Sequence, residues 1–191
     1  MSSDLFDLPA EVVAQELIGA SLLFNGVGGR IVETEAYDAQ DPASHSFHGR
    51  TSRNAPMFGP PGRAYVYRIY GLHWCFNIVC DASRGGSAVL IRALAPTDGI
   101  GLMQRRRNVS LLEQLCSGPG KLCQALSIDG GVNGASVVAA PFAMTLAEPR
   151  AAVVRGRRIG IAVGADTPWR FAEAGSRFLS RPLGGPPRRG P

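Results

Sequence analysis

Arg30-Ile31-Val32-Glu33-Thr34-Glu35-Ala36-Tyr37 reads as a β-strand, rich in β-branched residues, with a turn signal, Asn25-Gly26, just upstream. On a strand, side chains at i and i+2 share a face. Ile31, Glu33, Glu35 and Tyr37 are therefore expected on one face, and Arg30, Val32, Thr34 and Ala36 on the other. A carboxylate two residues from an aromatic, on one rigid face, suits a site that holds a flat ring beside a general base. The competing reading is an edge strand with solvated glutamates, the commoner place for carboxylates.

A second segment, Tyr65-Val66-Tyr67-Arg68-Ile69-Tyr70-Gly71-Leu72-His73-Trp74-Cys75-Phe76-Asn77-Ile78-Val79, reads as two short strands meeting near Tyr70-Gly71. Gly71 can supply the positive φ of a tight hairpin. Tyr65 and Tyr67 share a face of the first strand, and Tyr65 reads as a core residue. Tyr70 falls at the tip, where an aromatic has no core to fill. In a basic protein such a residue is a candidate wedge for prying bases apart.

Outward from these strands, Asp7 is expected to cap a helix over residues 8–20, with Val12, Val13, Leu17 and Ile18 as its apolar face. Residues 22–24 pair with 29–37 around Asn25-Gly26. Residues 38–61 form a long polar loop carrying His45, His48, Arg50 and Arg53. A buried strand follows over 87–94, and Pro96-Thr97-Asp98 starts a helix ending in Arg105-Arg106-Arg107. Residues 111–115 and 122–128 read as helical, 130–136 as a glycine-rich turn, and 153–163 as a strand. The fold class is mixed α/β: a single domain over residues 1–180 with a curved, mostly antiparallel sheet, flanking helices and a protruding β-hairpin. Residues 181–191 form a basic, Pro/Gly-rich tail expected to be disordered.

A chain of 191 residues fits one domain with a sizeable core. Its net charge of +5 and pI near 9.4 favour a polyanionic partner. Lys121 is the only lysine, so the basic side is almost all arginine. Arginine binds phosphate bidentately and stacks on rings, which suits DNA, while a GC-rich genome gives the same bias. Cys75, Cys80, Cys116 and Cys123 match no common zinc spacing, and His45 and His48 do not complete one; buried free thiols are expected. No apolar run approaches the roughly 20 residues of a membrane span. The first residues lack the basic-then-apolar pattern of a signal peptide, so a cytoplasmic location is expected, nucleoid-associated if the source is bacterial.

Several blocks, in order, carry a specific resemblance. They are Val32-Glu33-Thr34-Glu35-Ala36-Tyr37; His45; the Tyr65-Val66-Tyr67 and Tyr70-Gly71 hairpin; Asn77; Val89-Leu90-Ile91-Arg92-Ala93-Leu94; and Gly118-Pro119-Gly120-Lys121-Leu122-Cys123-Gln124-Ala125-Leu126. Over residues 8–180 this pattern resembles the alkyladenine (3-methyladenine) DNA glycosylase family of mammalian type. The resemblance implies excision of alkylated or deaminated purines (3-methyladenine, 7-methylguanine, hypoxanthine, ethenoadenine) from double-stranded DNA. It implies a monomer with no metal, organic cofactor or membrane partner.

Chemistry on a base inside a duplex requires extruding it into a pocket. By resemblance Glu35 is the general base and Arg92 helps hold the attacking water. Arg92 is also a lone charge in an apolar strand, which demands a carboxylate or ligand. Tyr37 and Tyr67 match the two faces of the base sandwich, with His45 along its edge. Asn77 matches the pocket floor, where its amide would clash with the 2-amino group of an intact guanine. Tyr70 matches the minor-groove wedge. Lys121, behind Gly118-Pro119-Gly120, reads either as a phosphate contact or as a plain helix start. Arg170 and Ser176 resemble the family's C-terminal DNA contacts less closely. His48 reads as a surface residue, and Glu33 is expected to matter far less than Glu35.

Two rivals stand beside this reading. A bifunctional glycosylase with lyase activity needs an amine for a Schiff base, and only Lys121 and the N-terminus offer one. A noncatalytic nucleic-acid-binding module could use the same scaffold, but has no need of a strand-buried Glu–Arg pair beside an aromatic sandwich.

Overall fold

The Asn25-Gly26 turn opens the sheet as its sequence demands. In a computed structural model, which describes residues 3–183, these two residues take φ of 49° and 74°. They join β1 (Ser21–Phe24) to β2 (Val27–Tyr37) as an antiparallel pair. The remaining strands are β3 (Ala64–Ile69), β4 (His73–Cys80), β5 (Ser87–Asp98), β6 (Phe142–Thr145), β7 (Val153–Gly156) and β8 (Arg170–Glu173). They form one sheet in the order β3-β4-β5-β2-β1-β6, with β8 also paired to β2 and β7 to β8. The domain is mixed α/β with a wholly antiparallel set of strand pairs.

β2 is a central strand. β5 lies along one side of it, and β1 and β8 share the other. Glu33 and Glu35 are fully buried, which excludes a solvated edge. The pairing of β2 with β5 steps from Ile31↔Leu94 to Glu33↔Ala93 and on to Thr34↔Ile91, skipping Val32 and then Arg92. Such bulges re-aim side chains and are common beside active sites. Their effect is legible in the packing. Ile31 and Ala36 face the main core, and Thr34 bonds the Ala14 carbonyl there, whereas Val32 packs in a separate cluster with Ala93 and Ala95. The strict alternation that grouped Ile31 with Glu33 and Glu35 is thus broken at Val32.

The main core lies between this sheet and the helices α1 (Ala10–Glu16), α2 (Ile100–Arg107), α3 (Leu112–Leu115) and α4 (Pro119–Leu126). α1 is shorter than the expected 8–20, begins at Pro9 without a side-chain cap, and is preceded by a 3₁₀ turn, Ser3–Asp7, that contains Asp7. Val13, Leu17 and Ile18 are buried, while Val12 is 39% exposed. Residues 96–98 do not start a helix: they extend β5 against Gly28 and Gly29, and the positive φ of Gly99 turns the chain into α2. The strand expected over 153–163 stops at Gly156 because the following residues fold over a cavity instead. β6 and β8 are four-residue strands that periodicity alone did not show. All four cysteines are buried and free. Among the described residues no helix is long and apolar enough to cross a membrane.

The tail expected to be disordered lies outside the described residues from 184 onward. Arg181 and Pro182 offer their carbonyls to Arg170, and Leu183 packs on Gly156.

Candidate active site

The two bulges at Val32 and Arg92 turn a carboxylate pair and an arginine toward each other. Arg92 Nε donates to Glu33 Oε1 at 3.1 Å, and Nη1 donates to Glu35 Oε2 at 3.2 Å. Glu35 Oε2 also accepts the Tyr37 hydroxyl at 2.8 Å, and Oε1 accepts the Ile159 N–H at 2.8 Å. A carboxylate offers about four lone-pair sites. Tyr37, Arg92 and Ile159 occupy three of them, which leaves one on Oε1. Burial raises the Glu35 carboxyl above its ordinary value, against the opposing pull of Arg92, Ile159 and Tyr37. Burial and the adjacent Glu35 charge also raise the Tyr37 phenol, so it stays a donor.

Beside the groups that hold this carboxylate opens a cavity of about 260 Å³. Tyr37, Arg92 and Ile159, the partners of Glu35, form part of its lining, along with His45, Tyr67 and Asn77. The antiparallel register of β3 and β4 sets Tyr65 opposite Asn77 and Tyr67 opposite Cys75. Asn77 is buried and donates from Nδ2 to the Tyr65 carbonyl at 3.0 Å. His45 stands edge-on to the Tyr67 ring at 4.5 Å, and its Nδ1 lies 2.9 Å from the Tyr65 hydroxyl. Desolvation, with Arg53 nearby, lowers the His45 pKa, so the imidazole is neutral near pH 7. The Tyr65 phenol is pushed up to about 12 by burial. Tyr65 is 2% exposed, a core residue as its pattern suggested. An aromatic-walled cavity whose lining includes Tyr37, Arg92 and Ile159, the three groups that hold the Glu35 carboxylate, can take a planar heterocycle beside a general base.

The structure therefore brings Glu35, Arg92, Tyr37, His45, Tyr67 and Asn77 to one place. Tyr70 stands apart at the hairpin tip, 84% exposed, with Leu72 beside it at 72%. Tyr70 and Gly71 have successive φ of 52° and 68°, and Leu72 N–H closes the turn on the Ile69 carbonyl. A bulky residue at positive φ is strained, and such strain gathers at functional positions. Lys121 lies in the first turn of α4, exposed, with Nζ 3.4 Å from Ser117 Oγ; its neighbour Pro119 reaches the cavity.

Arg170 is not positioned as a DNA contact. It is 3% exposed, donates from Nε to Glu33 Oε1 at 2.8 Å, and is otherwise taken up by the carbonyls of Arg181 and Pro182. As a residue of β8, it is drawn inward by the buried charge of Glu33. Ser176 lies away from the cavity, in the turn after β8, where its Oγ accepts the Phe178 N–H. His48 is exposed.

Glu33, expected to matter far less than Glu35, is the hub of a buried network. Its carboxylate accepts from Arg92, Arg170, and both the backbone N–H and the hydroxyl of Ser180. Arg92 Nη2 reaches the same Ser180 hydroxyl at 3.3 Å. Sequence reading also passed over Ile159 and Arg158. Ile159 acts through its backbone, which leaves no compositional trace. Arg158 fell within the strand expected over 153–163, in the basic run Arg155-Gly156-Arg157-Arg158, and was given no role of its own, yet it is 5% exposed and paired with Asp41.

Comparison with known proteins agrees with this geometry. A family model described as Methylpurine-DNA glycosylase (MPG) matches residues 4–177. A protein of Rhodopseudomonas palustris (strain BisB18), named "Putative 3-methyladenine DNA glycosylase", is 58% identical over 173 residues, covering 90% of this chain and 86% of its own. A protein of Nitrosospira multiformis with the same name is 55% identical over 185 residues, 96% of each chain. With the family model covering nearly all of the described residues, and relatives this similar over most of their own length, the chain belongs to the methylpurine-DNA glycosylase family.

Proposed function

We propose that this chain hydrolyses the N-glycosidic bond of damaged purines that have been flipped out of duplex DNA. The observation that carries the proposal is the buried Glu35 carboxylate, held by Tyr37, Arg92 and Ile159, all three of which line an aromatic-walled cavity. The extruded base stacks between Tyr37 and Tyr67, with His45 along its edge. Cationic lesions such as 3-methyladenine and 7-methylguanine stack best on electron-rich phenol faces. The free lone pair on Glu35 Oε1 takes the proton of a water attacking C1′, and the carboxylate charge favours the oxocarbenium-like sugar. Arg92 fixes that carboxylate. Lys121 is a phosphate contact. Lys121, the only lysine, does not line the cavity, which favours a monofunctional hydrolase over a lyase that would use its amine. The test uses duplexes bearing each lesion, assayed with and without alkali. Free base with the strand left intact until alkali is added is the expected result; strand breakage without alkali would reject the hydrolase.

Tyr70→Ala is expected to weaken capture of the flipped state more than chemistry on it. The wedge offsets part of the few kcal/mol that extrusion costs. Excision of a well-paired lesion should fall roughly tenfold, corresponding to ~1.4 kcal/mol, and the defect should shrink when the lesion is mispaired. Equal losses on both substrates would leave Tyr70 a structural residue.

Asn77→Ser is expected to admit guanine. A shorter side chain opens the space in which the Asn77 amide meets the 2-amino group, while hypoxanthine lacks that group. The ratio of guanine to hypoxanthine release, with guanine mispaired, should rise about tenfold. Because Asn77 also bonds the Tyr65 carbonyl, melting of the variant is followed in parallel. An unchanged ratio in a folded variant would reduce Asn77 to that backbone role.

A further inference from the structure

We propose that Arg158 is a positioning residue for this site, holding Tyr37 and the Ile159 N–H where they orient Glu35. Its guanidinium lies 4.7 Å from the Tyr37 ring centroid and 5.6 Å from that of Trp169. Nη2 donates to Asp41 Oδ1 at 3.0 Å and to the Gly164 carbonyl at 3.0 Å. Nη1 donates to the Ala36 carbonyl at 2.9 Å and to Asp41 Oδ2. Nε is buried without a partner among the described residues. An unpaired buried donor is costly, so the plane of this guanidinium is set by the ring beside it and by Asp41 rather than by saturation of every N–H.

The pair joins two walls of the cavity. Asp41 belongs to the loop after β2, where its Oδ1 accepts the Ala43 N–H at 3.0 Å, and the chain runs on through Ser44 to His45. Arg158 precedes Ile159, Gly160 and Ile161, which line the cavity from the connection after β7. Tyr37 lies against the pair, with its hydroxyl on Glu35. A shift of Arg158 therefore moves two of the three donors that fix the carboxylate. Misplacement on the scale of 1 Å can cost a hundredfold in rate.

A simple staple between two loops would share this geometry, and the titration of Glu35 separates the two roles. The groups facing Glu35 are Glu33 and Tyr37 on β2, Arg92 on β5, Tyr67 and Cys75 on the hairpin, and Arg158 with the Ile159 N–H. Removing the Arg158 cation withdraws support from the carboxylate, so its protonation moves to higher pH. Removing the Asp41 anion leaves the cation less neutralised and moves it to lower pH.

The inference rests on Glu35 as general base. Single-turnover excision of 7-methylguanine from a duplex is measured across pH for the parent, Arg158→Met, Arg158→Lys, Asp41→Asn and Glu35→Gln, with thermal melting of each. Arg158→Met is expected to lower the plateau rate about tenfold or more and to shift the acid limb upward. Arg158→Lys, which keeps the charge without the fork, is expected to lower the rate with the limb in place. Asp41→Asn is expected to shift the limb downward. If Arg158→Met does not fold, the contrast between the lysine and asparagine variants carries the same test. Limbs that coincide in all folded variants, or plateau rates at the parent value, would overturn the proposal while leaving Glu35 as base. Excision by Glu35→Gln would overturn both.

Discussion

Glu35→Gln should bind lesion-bearing duplex as the parent does and lose excision. The amide keeps the size of the side chain and its oxygen can still accept from Tyr37 and Arg92, while its NH2 loses the Ile159 N–H bond, and it cannot take a proton from water. General-base catalysis contributes roughly a hundred- to ten-thousand-fold, so the loss should fall in that range under single-turnover conditions. The fold should survive. Burial raises the Glu35 pKa, so its stabilising contribution is present below the unfolded pKa and lost as pH rises through the folded one. Near neutrality a neutral amide avoids that cost. Near-normal excision by a folded variant would remove Glu35 from the chemistry.

Glu33→Gln should be the most destabilising polar substitution in the site. Glu33 is the shared counter-charge of Arg92 and Arg170, whose side chains are only 8% and 4% exposed. Removing one partner of a buried pair leaves an uncompensated charge and costs about 3–5 kcal/mol. For a domain of this size that lowers the melting temperature by roughly 10 °C. Excision should fall too, because Arg92 loses the anchor on its Nε and keeps only Glu35 and Ser180. As a control, Asp166→Asn breaks an ion pair with Arg157 whose side chains are 73% and 90% exposed, and should leave melting unchanged. Equal melting of the two variants would show that the Glu33 network does not hold the site together.

How much of this was legible in the sequence depends on which physics each residue uses. The hairpins were legible because Asn25-Gly26 and Tyr70-Gly71 are local turn chemistry. Glu35, Tyr37, Tyr67, Asn77 and Arg92 were legible through a resemblance of several blocks in register, and the structure sets the last four around one cavity with Glu35 bonded to Tyr37 and Arg92. The importance of Glu33 was not legible, since its partners Arg170 and Ser180 lie 137 and 147 residues away in the chain. The bulges at Val32 and Arg92 were equally silent: a strand sequence shows its alternation, but a skipped residue appears only in the pairing with its neighbour. Helix 8–20 was overdrawn because apolar periodicity continued past Glu16 into residues buried by tertiary packing alone. The strand expected over 153–163 was overdrawn because Ile159, Ile161 and Val163 alternate, yet the residues after Gly156 fold over the cavity around Arg158 and the Ile159 N–H.

The central claim is that an ionised, buried Glu35 activates the water. It is tested most directly by the pH dependence of single-turnover 7-methylguanine excision in the parent protein. This lesion is already cationic, so its departure needs no proton from the enzyme and the profile isolates the base. Burial raises the Glu35 carboxyl above its ordinary value of 4.5. The rate should therefore fall with a one-proton acid limb centred above that value and reach a plateau at higher pH, where Glu35 is ionised. A rate that stays flat down through the ordinary carboxylate range, or that declines as pH rises through the limb, would contradict it.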